Sequence, residues 1–373
     1  MIYLDAGATT LQKPKAVAEA MARAVGTLSS PGRGGYQATR NAEQTDYRCR
    51  SLAAQLFDVE DPGQVVFTSN ATHGLNIAIR SVVQPGSRVV ISGYEHNAVT
   101  RTLHSIPDVE LVVLDAPLFR PELMVQQCAC ALEQKTDAVI INHVSNVFGS
   151  IAPVEEIAAL CREKGIPLII DASQSAGVLP LSMKDTAAAF IAMPGHKGLY
   201  GPQGTGLLLC SRAPKPLLYG GTGSDSLPQK MPEELPDRLE AGTHNMPGIA
   251  GLTEGLEFVK NKGMDRIRKH EQSLVRQAIG ELKAIPGVTV FHDGTMERQT
   301  GVVSFIAEGY DCVELAEELA RRGIALRAGL HCAPLAHRTA KTLKTGTIRL
   351  SPSAFNTPQQ IQLFAEGLRK VLR

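Results

Sequence analysis

The sequence lacks tryptophan, a net charge of any size and any long apolar run. Its 38 Lys and Arg residues nearly balance 37 Asp and Glu residues, which leaves a formal charge of +1. Binding to a nucleic-acid backbone needs a concentrated excess of positive charge, so this balance argues against that class of protein. Apolar stretches such as residues 137–142 are far too short to cross a bilayer, and the first residues lack the basic and apolar regions of a signal peptide. We therefore predict a cytoplasmic protein with no nucleic-acid or membrane partner.

A regular pattern of paired cysteines is also missing. The chain has seven cysteines, an odd number, at irregular spacing. Secreted disulfide frameworks use an even number at characteristic spacings, so the pattern predicts a reducing compartment. At least one thiol must then stay unpaired within the chain.

Short apolar runs alternate with helix-period segments through the first two thirds of the chain. Several runs are apolar throughout, as expected where helices cover both faces of a parallel sheet, so we predict an α/β fold with right-handed crossovers. The predicted strands cover residues 65–68, 88–92, 110–114, 137–142, 167–171, 188–193 and 204–210. The predicted helices cover residues 73–83, 121–134 and 153–164, and residues 214–236 are predicted to form a surface loop.

The last third of the chain predicts a smaller α+β unit. Its predicted helices are one long helix over residues 252–285, a helix over 311–322 and a final helix over 358–372. Its predicted strands cover residues 288–291, 302–306, 324–327 and 346–350.

Polar side chains follow five of the predicted strands, within residues 69–73, 93–97, 143–146, 171–174 and 194–197. In an open α/β sheet, ligands bind beyond the carboxyl ends of the strands. These segments supply hydroxyl, imidazole, amide, carboxylate and amine groups together. The sequence therefore predicts an active site at this edge of the sheet.

The pair Asp171 and Lys197 indicates which cofactor such a site would hold. Pyridoxal phosphate (PLP) needs a lysine that binds it covalently and a carboxylate that keeps its ring nitrogen protonated. Either residue alone is better explained as a helix cap or a surface lysine. Both together, at the ends of successive strands and with the segment GHKGLYGPQGTG, favour a PLP site.

Further motifs extend this pattern over nearly the whole chain: YLDAGATT near the start, then DASQSAG, EAGTHN, RAGLHCAP and RLSPSAFNT. With them the chain resembles the class V aminotransferase superfamily of PLP-dependent, fold type I enzymes, in particular its cysteine desulfurase and selenocysteine lyase branch. The resemblance implies a large domain with a mainly parallel, mixed sheet flanked by helices, and a small α+β domain. We place an N-terminal segment that packs with the small domain at residues 1–15, the PLP-binding domain at 16–251 and the small domain, which carries a cysteine loop, at 252–373.

The resemblance also implies roles around the cofactor ring. Lys197 would bind the cofactor covalently, and Asp171 would pair with the pyridine nitrogen. Gln174 would hydrogen-bond the phenolic oxygen, and His96 would stack on the ring and help in proton transfer.

The phosphate of the cofactor is implied to meet the turn of Ala71 and Thr72 at the start of a helix, where free N–H groups favour an anion. His196 would add a side-chain contact. Thr243 matches a position that reaches the phosphate of the neighbouring subunit, so the resemblance implies a homodimer. Two departures affect this part of the site: Pro194 stands where a hydroxyl residue is common, and His73 where an acidic residue is common.

Asn146 and Arg349 match positions that hold the substrate carboxylate, and Arg327 is a second candidate. An arginine suits this task because its planar fork can bind both carboxylate oxygens. The implied substrate is a small amino acid, L-cysteine or L-selenocysteine.

Cys332 matches the nucleophile of the desulfurases, which lies on a loop of the small domain. As a thiolate it would attack the substrate sulfur, leaving a persulfide on Cys332 and alanine as the product. The short loop resembles the group II, SufS-like desulfurases, which implies a partner protein that accepts the sulfur. This role would explain the unpaired thiol.

The other cysteines are predicted to be structural or are left without a role. Cys128 and Cys130 lie two apart on a predicted helix and face different directions. Cys161, Cys210 and Cys312 lie in apolar contexts. For Cys49 the sequence does not decide between a structural and another role.

Several other functions stay open at this stage. A selenocysteine lyase would have nearly the same site, and a class V aminotransferase or another lyase would leave Cys332 incidental. A sulfur-relay or scaffold protein that binds PLP only structurally would have no need of Lys197, Asp171 and Gln174 together.

Metal and nucleotide sites are less well supported by the sequence. A zinc site of His331, Cys332 and His337 matches no common ligand spacing and lacks a fourth ligand, so we predict no metal. The glycine runs at residues 201–206 and 220–223 match no nucleotide-binding motif.

Overall fold

The computed structural model describes residues 1–32, 34–224 and 226–372. Asp225, inside the predicted surface loop, and Arg373, at the end of the predicted small domain, lie outside these ranges. The helices are α1 (Lys15–Thr27), α2 (Gln37–Phe57), α3 (Ala71–Val82), α4 (Asn97–His104), α5 (Pro121–Ala131), α6 (Val154–Lys164), α7 (Met183–Thr186), α8 (Met246–Lys262), α9 (Met264–Lys283), α10 (Cys312–Arg321), α11 (Pro334–Thr339) and α12 (Pro358–Val371). The strands are β1 (Ile2–Tyr3), β2 (Val65–Thr68), β3 (Arg88–Ser92), β4 (Glu110–Leu114), β5 (Ala138–Asn142), β6 (Leu168–Asp171), β7 (Phe190–Pro194), β8 (Gly206–Cys210), β9 (Val288–Phe291), β10 (Val303–Ala307), β11 (Ile324–Ala325), β12 (Arg327–Gly329) and β13 (Thr347–Leu350).

A seven-stranded mixed sheet in the order β2-β8-β7-β6-β5-β3-β4 dominates the first two thirds of the chain. Its neighbours from β4 to β7 are parallel, and β8 runs antiparallel between β7 and β2. Successive side chains of a strand point to opposite faces. In β5, Val139 and Ile141 belong to one hydrophobic core, and Ala138 and Ile140 belong to another. Both faces are therefore covered, as the continuous apolar runs predict.

The predicted elements of this sheet agree closely with the observed ones. The predictions for residues 65–68, 88–92 and 110–114 match β2, β3 and β4 to the residue. The other predicted strands and helices of this part differ at their ends by three residues or fewer. The predicted loop over residues 214–236 holds no helix or strand among its described residues.

The last third of the chain builds a four-stranded antiparallel sheet in the order β12-β13-β10-β9. Helices α9, α10 and α12 cover it around a core that contains Leu274, Leu315 and Phe364. Strand β1 pairs in parallel with β11, which attaches the first residues to this part of the molecule. The predicted domain boundary between residues 251 and 252 falls inside α8.

Two predictions in the last third were wrong. The sequence predicts one helix over residues 252–285, whereas the structure has α8 and α9, because Gly263 between them takes a φ of 84°, outside the helical region. The sequence predicts one strand over residues 324–327, whereas β11 pairs with β1 and β12 pairs with β13, so the chain changes partner at Leu326. Helices α1, α2, α4, α7 and α11 were not predicted. No helix in the described ranges combines the length and apolar character needed to cross a membrane.

Candidate active site

A cleft of about 230 Å³ lies at the carboxyl ends of the strands of the seven-stranded sheet. Asn146 and seven of the predicted cofactor residues line it: Ala71, Thr72, His96, Asp171, Gln174, His196 and Lys197. Four predicted residues are not part of this lining: Thr243, Arg327, Cys332 and Arg349. The fold thus collects side chains from the ends of five separate strands at one place, as expected for an open α/β sheet.

Asp171 and Lys197 reach the cleft from neighbouring strands. β6 ends at Asp171, and β7 pairs with it in parallel directly before the turn that carries Lys197. Asp171 is 2% exposed, and its Oδ1 accepts hydrogen bonds from the backbone N–H and the hydroxyl of Ser173. These bonds fix the carboxylate in position at the floor of the cleft.

The turn that holds Lys197 is tied to the N-terminal segment. Lys13 Nζ donates to the carbonyl of His196 at 3.2 Å, and Thr10 Oγ1 donates to the carbonyl of Lys197 at 3.3 Å. Burial, together with the positive charge of Arg349, lowers the pKa of Lys197 to about 8. A lysine with this pKa exchanges a proton readily near neutral pH, which suits a general base.

The start of α3 offers an anion site at the cleft. The Asn70 side chain caps this helix by accepting from the backbone N–H of His73 at 2.9 Å, while Ala71 and Thr72 form its first turn. The first N–H groups of a helix lack internal partners and favour an anion. His196 Nδ1 is buried without a hydrogen-bond partner among the described residues, so a polar group of the site is still unsatisfied. Pro194 lines the same cleft.

His96 caps α4, and this fixes the state of its ring. Its Nδ1 accepts from the backbone N–H of Ala98 at 3.0 Å. A neutral imidazole with Nδ1 as acceptor carries its proton on Nε2. Burial lowers the pKa of His96, and the charge of Asp171 offsets only part of this effect. His96 is therefore a neutral ring with an Nε2–H donor. Gln174, which also lines the cleft, donates from Nε2 to the carbonyl of Gly7 at 2.9 Å.

The two predicted carboxylate-binding arginines share one carboxylate of the protein. Arg349 is 2% exposed; its guanidinium donates to Asp5 Oδ1 at 2.7 Å and to the carbonyl of Asn146 at 2.8 Å. Arg327 Nε donates to Asp5 Oδ2 at 3.0 Å. Arg349 Nε and Asn146 Oδ1 are buried and have no partner among the described residues. This region therefore holds one more positive charge than negative, beside unused polar atoms, which suits an anionic ligand.

Replacing Asp5 with asparagine should lower the free energy of unfolding by about 1–3 kcal/mol, because the buried guanidinium of Arg349 loses its charged partner. Urea unfolding at fixed protein concentration measures this change. Asp265, which is exposed and pairs with Lys269 on α9, supplies the control, and Asp265→Asn should change stability by less than about 1 kcal/mol. Equal effects of the two substitutions would contradict the prediction.

Cys332 lies in the four-residue connection between β12 and α11, which we call the Cys332 loop (residues 330–333). Its side chain is exposed. His331 and Cys332 have φ values of 49° and 55°, a left-handed conformation that costs a residue other than glycine about 1–3 kcal/mol. The carbonyl of Cys332 accepts from the backbone N–H of Asn97 at 2.7 Å. Cys332 thus lies next to the start of α4, whose cap His96 lines the cleft.

Comparison with known proteins identifies the family. The sequence profile described as "Aminotransferase class-V" matches residues 2–364. The chain belongs to this family. Its predicted α/β fold and its predicted membership of the class V superfamily are confirmed.

Similar proteins of the class V family are cysteine desulfurases by name. A protein of Mycolicibacterium paratuberculosis named "Probable cysteine desulfurase" is 30% identical over 100% of this chain, which spans 55% of that longer protein. A protein of the same name from Halalkalibacterium halodurans is 30% identical, with 99% of this chain and 93% of the relative covered. The solved apo structure of a cysteine desulfurase from Thermococcus onnurineus matches with a TM-score of 0.90 at 26% identity, covering 99% of this chain and 94% of that one.

Cys332 is one of two exposed thiols, and all seven cysteines of this class V chain are free. Cys128 is buried and Cys130 is exposed, as their spacing on α5 predicts. Burial raises the pKa of Cys49 to about 12, so this thiol is an inert part of the core. Cys161, Cys210 and Cys312 are buried as well.

Thr243 is exposed and lies between Glu240 and His244. With Asp46 and Arg50, these two residues form a largely buried ionic cluster, which we call the Arg50 cluster. The Arg50 guanidinium donates to Asp46 at 2.6 Å and to both carboxylate oxygens of Glu240, at 2.7 and 2.8 Å. His244 lies 3.0 Å from Asp46 and 3.1 Å from Glu240. The cluster fixes the segment that carries Thr243 to α2.

The Arg50 cluster includes the one group of side chains in the described ranges whose ligand atoms lie close enough to hold a metal: Asp46, Glu240 and His244. Arg50 and His244, whose pKa the same carboxylates raise to about 9, together balance the charges of Asp46 and Glu240, so this group is an ion-pair network. The rings of His331 and His337 stack nearly parallel with centroids 5.8 Å apart, and each ring hydrogen-bonds a threonine.

The Arg50 cluster should make stability depend on pH through His244. Hydrogen bonds to Asp46 and Glu240 raise the pKa of His244 to about 9. A raised pKa stabilises the fold fully below the unfolded value of about 6.5, and this contribution is lost as pH rises through 9. The difference in unfolding free energy between wild type and His244→Gln should therefore shrink from pH 6.5 to pH 9.5 in urea titrations. A constant difference across this range would contradict the assignment.

Sequence reasoning assigned no role to three residues that shape this site: Asp5, and Asn97 and Ser173, which lie in the predicted segments 93–97 and 171–174. Asp5 lies inside the motif YLDAGATT, so the sequence drew attention to this segment but did not reveal what Asp5 binds. Asn97 acts through its backbone N–H, which no sequence pattern reveals. Ser173 lies two residues after Asp171, a spacing typical of a local hydrogen bond to an aspartate.

Proposed function

We propose that this protein is a PLP-dependent cysteine desulfurase that converts L-cysteine to L-alanine and carries the sulfur as a persulfide on Cys332. The observation that supports this most directly is the exposed Cys332 thiol on a short loop, bonded to the start of α4 beside the cleft that holds Asp171 and Lys197. The names of the similar proteins support the same activity.

The residues of the cleft fit pyridoxal phosphate. Asp171 supplies a buried carboxylate for the pyridine nitrogen, and Lys197 supplies the amine. The first turn of α3 and the unsatisfied Nδ1 of His196 suit a phosphate. When bound, the cofactor supplies an electron sink that eases loss of the Cα proton. Gln174 and His96 are proposed to contact the ring as the resemblance implies.

We assign substrate binding, proton removal and sulfur transfer to side chains of the protein. Arg349, with Asn146 and Arg327, orients the substrate carboxylate. Lys197, whose pKa is lowered to about 8 by burial and by Arg349, takes the Cα proton. The Cys332 thiolate forms a bond to the substrate sulfur while the Cβ–S bond breaks, and that electron pair passes to the carbon skeleton. Protonation of the skeleton gives alanine.

A homodimer is proposed because Thr243 is exposed and lies outside the cleft of its own chain. Large apolar side chains are exposed close to it: Tyr47 follows Asp46 on α2, and Tyr219 lies near Gly221, whose carbonyl accepts from the N–H of Gly242. A second copy seated on this face would cover these rings and bring Thr243 to its phosphate. We further propose a cytoplasmic, group II, SufS-like enzyme with a protein that accepts the sulfur.

The test is to incubate the purified, PLP-loaded protein with L-cysteine and a reductant. Alanine and sulfide should appear in equal amounts. Alanine without sulfide, or neither product, would contradict the proposal. The same assay with L-selenocysteine distinguishes the desulfurase from a selenocysteine lyase, which would turn over only the selenium substrate at an appreciable rate.

A further inference from the structure

We propose that Asn97 and Asn146 are positioning residues that hold the Cys332 loop against the seven-stranded sheet. The proposal rests on the desulfurase function proposed above. It assigns the position of the nucleophile to two hydrogen bonds from outside the loop.

Each bond is made to the carbonyl of a residue in the left-handed conformation. The carbonyl of His331 accepts from Asn146 Nδ2 at 2.8 Å, and the carbonyl of Cys332 accepts from the N–H of Asn97 at 2.7 Å. Two successive residues other than glycine keep positive φ values only where their surroundings hold them. The ring of His331 also hydrogen-bonds Thr347 of the small sheet, and within the loop the N–H of Ala333 donates to the carbonyl of Leu330 at 2.8 Å.

The N–H of Asn97 belongs to the first turn of α4, the same turn that His96 caps. A helix leaves its first N–H groups without internal partners. In α4, the N–H of Ala98 is satisfied by the ring of His96 and the N–H of Val99 by its carbonyl, while the N–H of Asn97 takes the carbonyl of Cys332. One turn of α4 therefore sets the position of the nucleophile relative to the ring of His96.

The bond from Asn146 couples the loop to the substrate site. Asn146 lines the cleft, and its own carbonyl accepts from Arg349 at 2.8 Å. Its amide has two N–H donors, of which one serves the loop and the other is available to a ligand. The loop and the carboxylate site thus share one side chain.

Asn97→Pro tests the first bond in the PLP-loaded enzyme. Proline is well tolerated at the first position of a helix, and His96 already has the extended backbone (φ −76°, ψ 157°) required before a proline. The substitution removes the N–H that serves Cys332 and puts the proline Cδ in its place, so the carbonyl of Cys332, 2.7 Å from that nitrogen, must move away. It also removes the side-chain bond from Thr100 Oγ1 to Asn97 Oδ1 (3.5 Å), which Asn97→Ala removes as well. Amide hydrogen exchange of residues 330–333 should become about three- to tenfold faster, as expected for one lost hydrogen bond. The kcat with L-cysteine should fall roughly tenfold or more, with KM within about twofold, because Arg349 is untouched.

Two controls separate this effect from a general one. Asn97→Ala keeps the N–H and should keep the exchange rate of the wild type. Gln37→Pro, at the exposed first position of α2, should leave kcat unchanged. As a second variant, Asn146→Asp replaces the donor to His331 with an acceptor and should also accelerate exchange of residues 330–333.

Exchange and kcat of Asn97→Pro within twofold of the wild type would overturn the proposal, and so would faster exchange with unchanged kcat. Failure of the proposed function is a separate result, because it appears as absence of desulfurase activity in the wild type. The exchange measurement does not depend on that activity.

Discussion

Cys332→Ala should reduce the release of sulfide from L-cysteine by roughly a thousandfold or more, because the substitution removes the thiol proposed to accept the sulfur. The cleft of Lys197, Asp171 and His96 does not include Cys332, so cofactor binding should be preserved. The assay measures sulfide and alanine together, and the visible absorption of the bound cofactor shows that the variant is loaded.

Cys130 supplies the matched control for this substitution. It is the other exposed thiol, but it lies on α5 and does not line the cleft. Cys130→Ala should therefore retain sulfide release within about twofold of the wild type. Alanine and sulfide production at the wild-type rate in Cys332→Ala would show that the persulfide mechanism is wrong, even if the protein binds PLP.

Arg50→Ala should lower the free energy of unfolding by about 3–5 kcal/mol, because the buried carboxylate of Glu240 and the partly buried carboxylate of Asp46 would lose their main counter-charge. Glu240 is 7% exposed, and besides Arg50 it bonds the N–H of Phe67 at 2.6 Å. The Arg50 guanidinium also lies 4.1 Å from the ring centroid of Phe67, so packing is lost with the charge. Urea unfolding at a fixed protein concentration measures the effect.

Arg48 is the control for Arg50, because it lies two residues earlier on α2 and also forms ion pairs. Its partners Glu254 and Glu257 are 24% and 25% exposed, and its own side chain is 53% exposed. Exposed pairs contribute little, so Arg48→Ala should cost less than about 1 kcal/mol. Equal unfolding midpoints for the two variants would show that the Arg50 cluster does not stabilise the fold.

The sheet could be predicted from the sequence because its strands are short, apolar runs between turn residues. Residues 138–142 illustrate this, since every one is buried and the strand can be predicted from this segment alone, without knowing which strands pair with it. The break between α8 and α9 could not be predicted in the same way. Gly263 lies in a segment with helical periodicity on both sides, and only tertiary packing decides whether such a glycine ends the helix.

The candidate site was predictable to the extent that strand ends determine it. Asp171 and Lys197 follow adjacent strands, so a parallel sheet places them at one edge. The role of Asp5 depends instead on a contact with Arg349, 344 residues further along the chain. The acceptor role of His96 Nδ1 depends on the cap geometry of α4. Neither follows from residue types or local spacing.

The ion pair between Asp5 and Arg349 has a consequence for how the protein is made. A ribosome makes Asp5 344 residues before Arg349, and folding units form in the order of synthesis. During translation, strand β1 has no β11 to pair with, and Asp5 has no arginine. The seven-stranded sheet, complete by residue 210, can therefore form while the chain is still being made, but the ion pair between Asp5 and Arg349 can form only after residue 349 has been made. A nascent chain that stalls before residue 349 would have the cleft of Asp171 and Lys197 but would lack the arginine proposed to bind the substrate carboxylate.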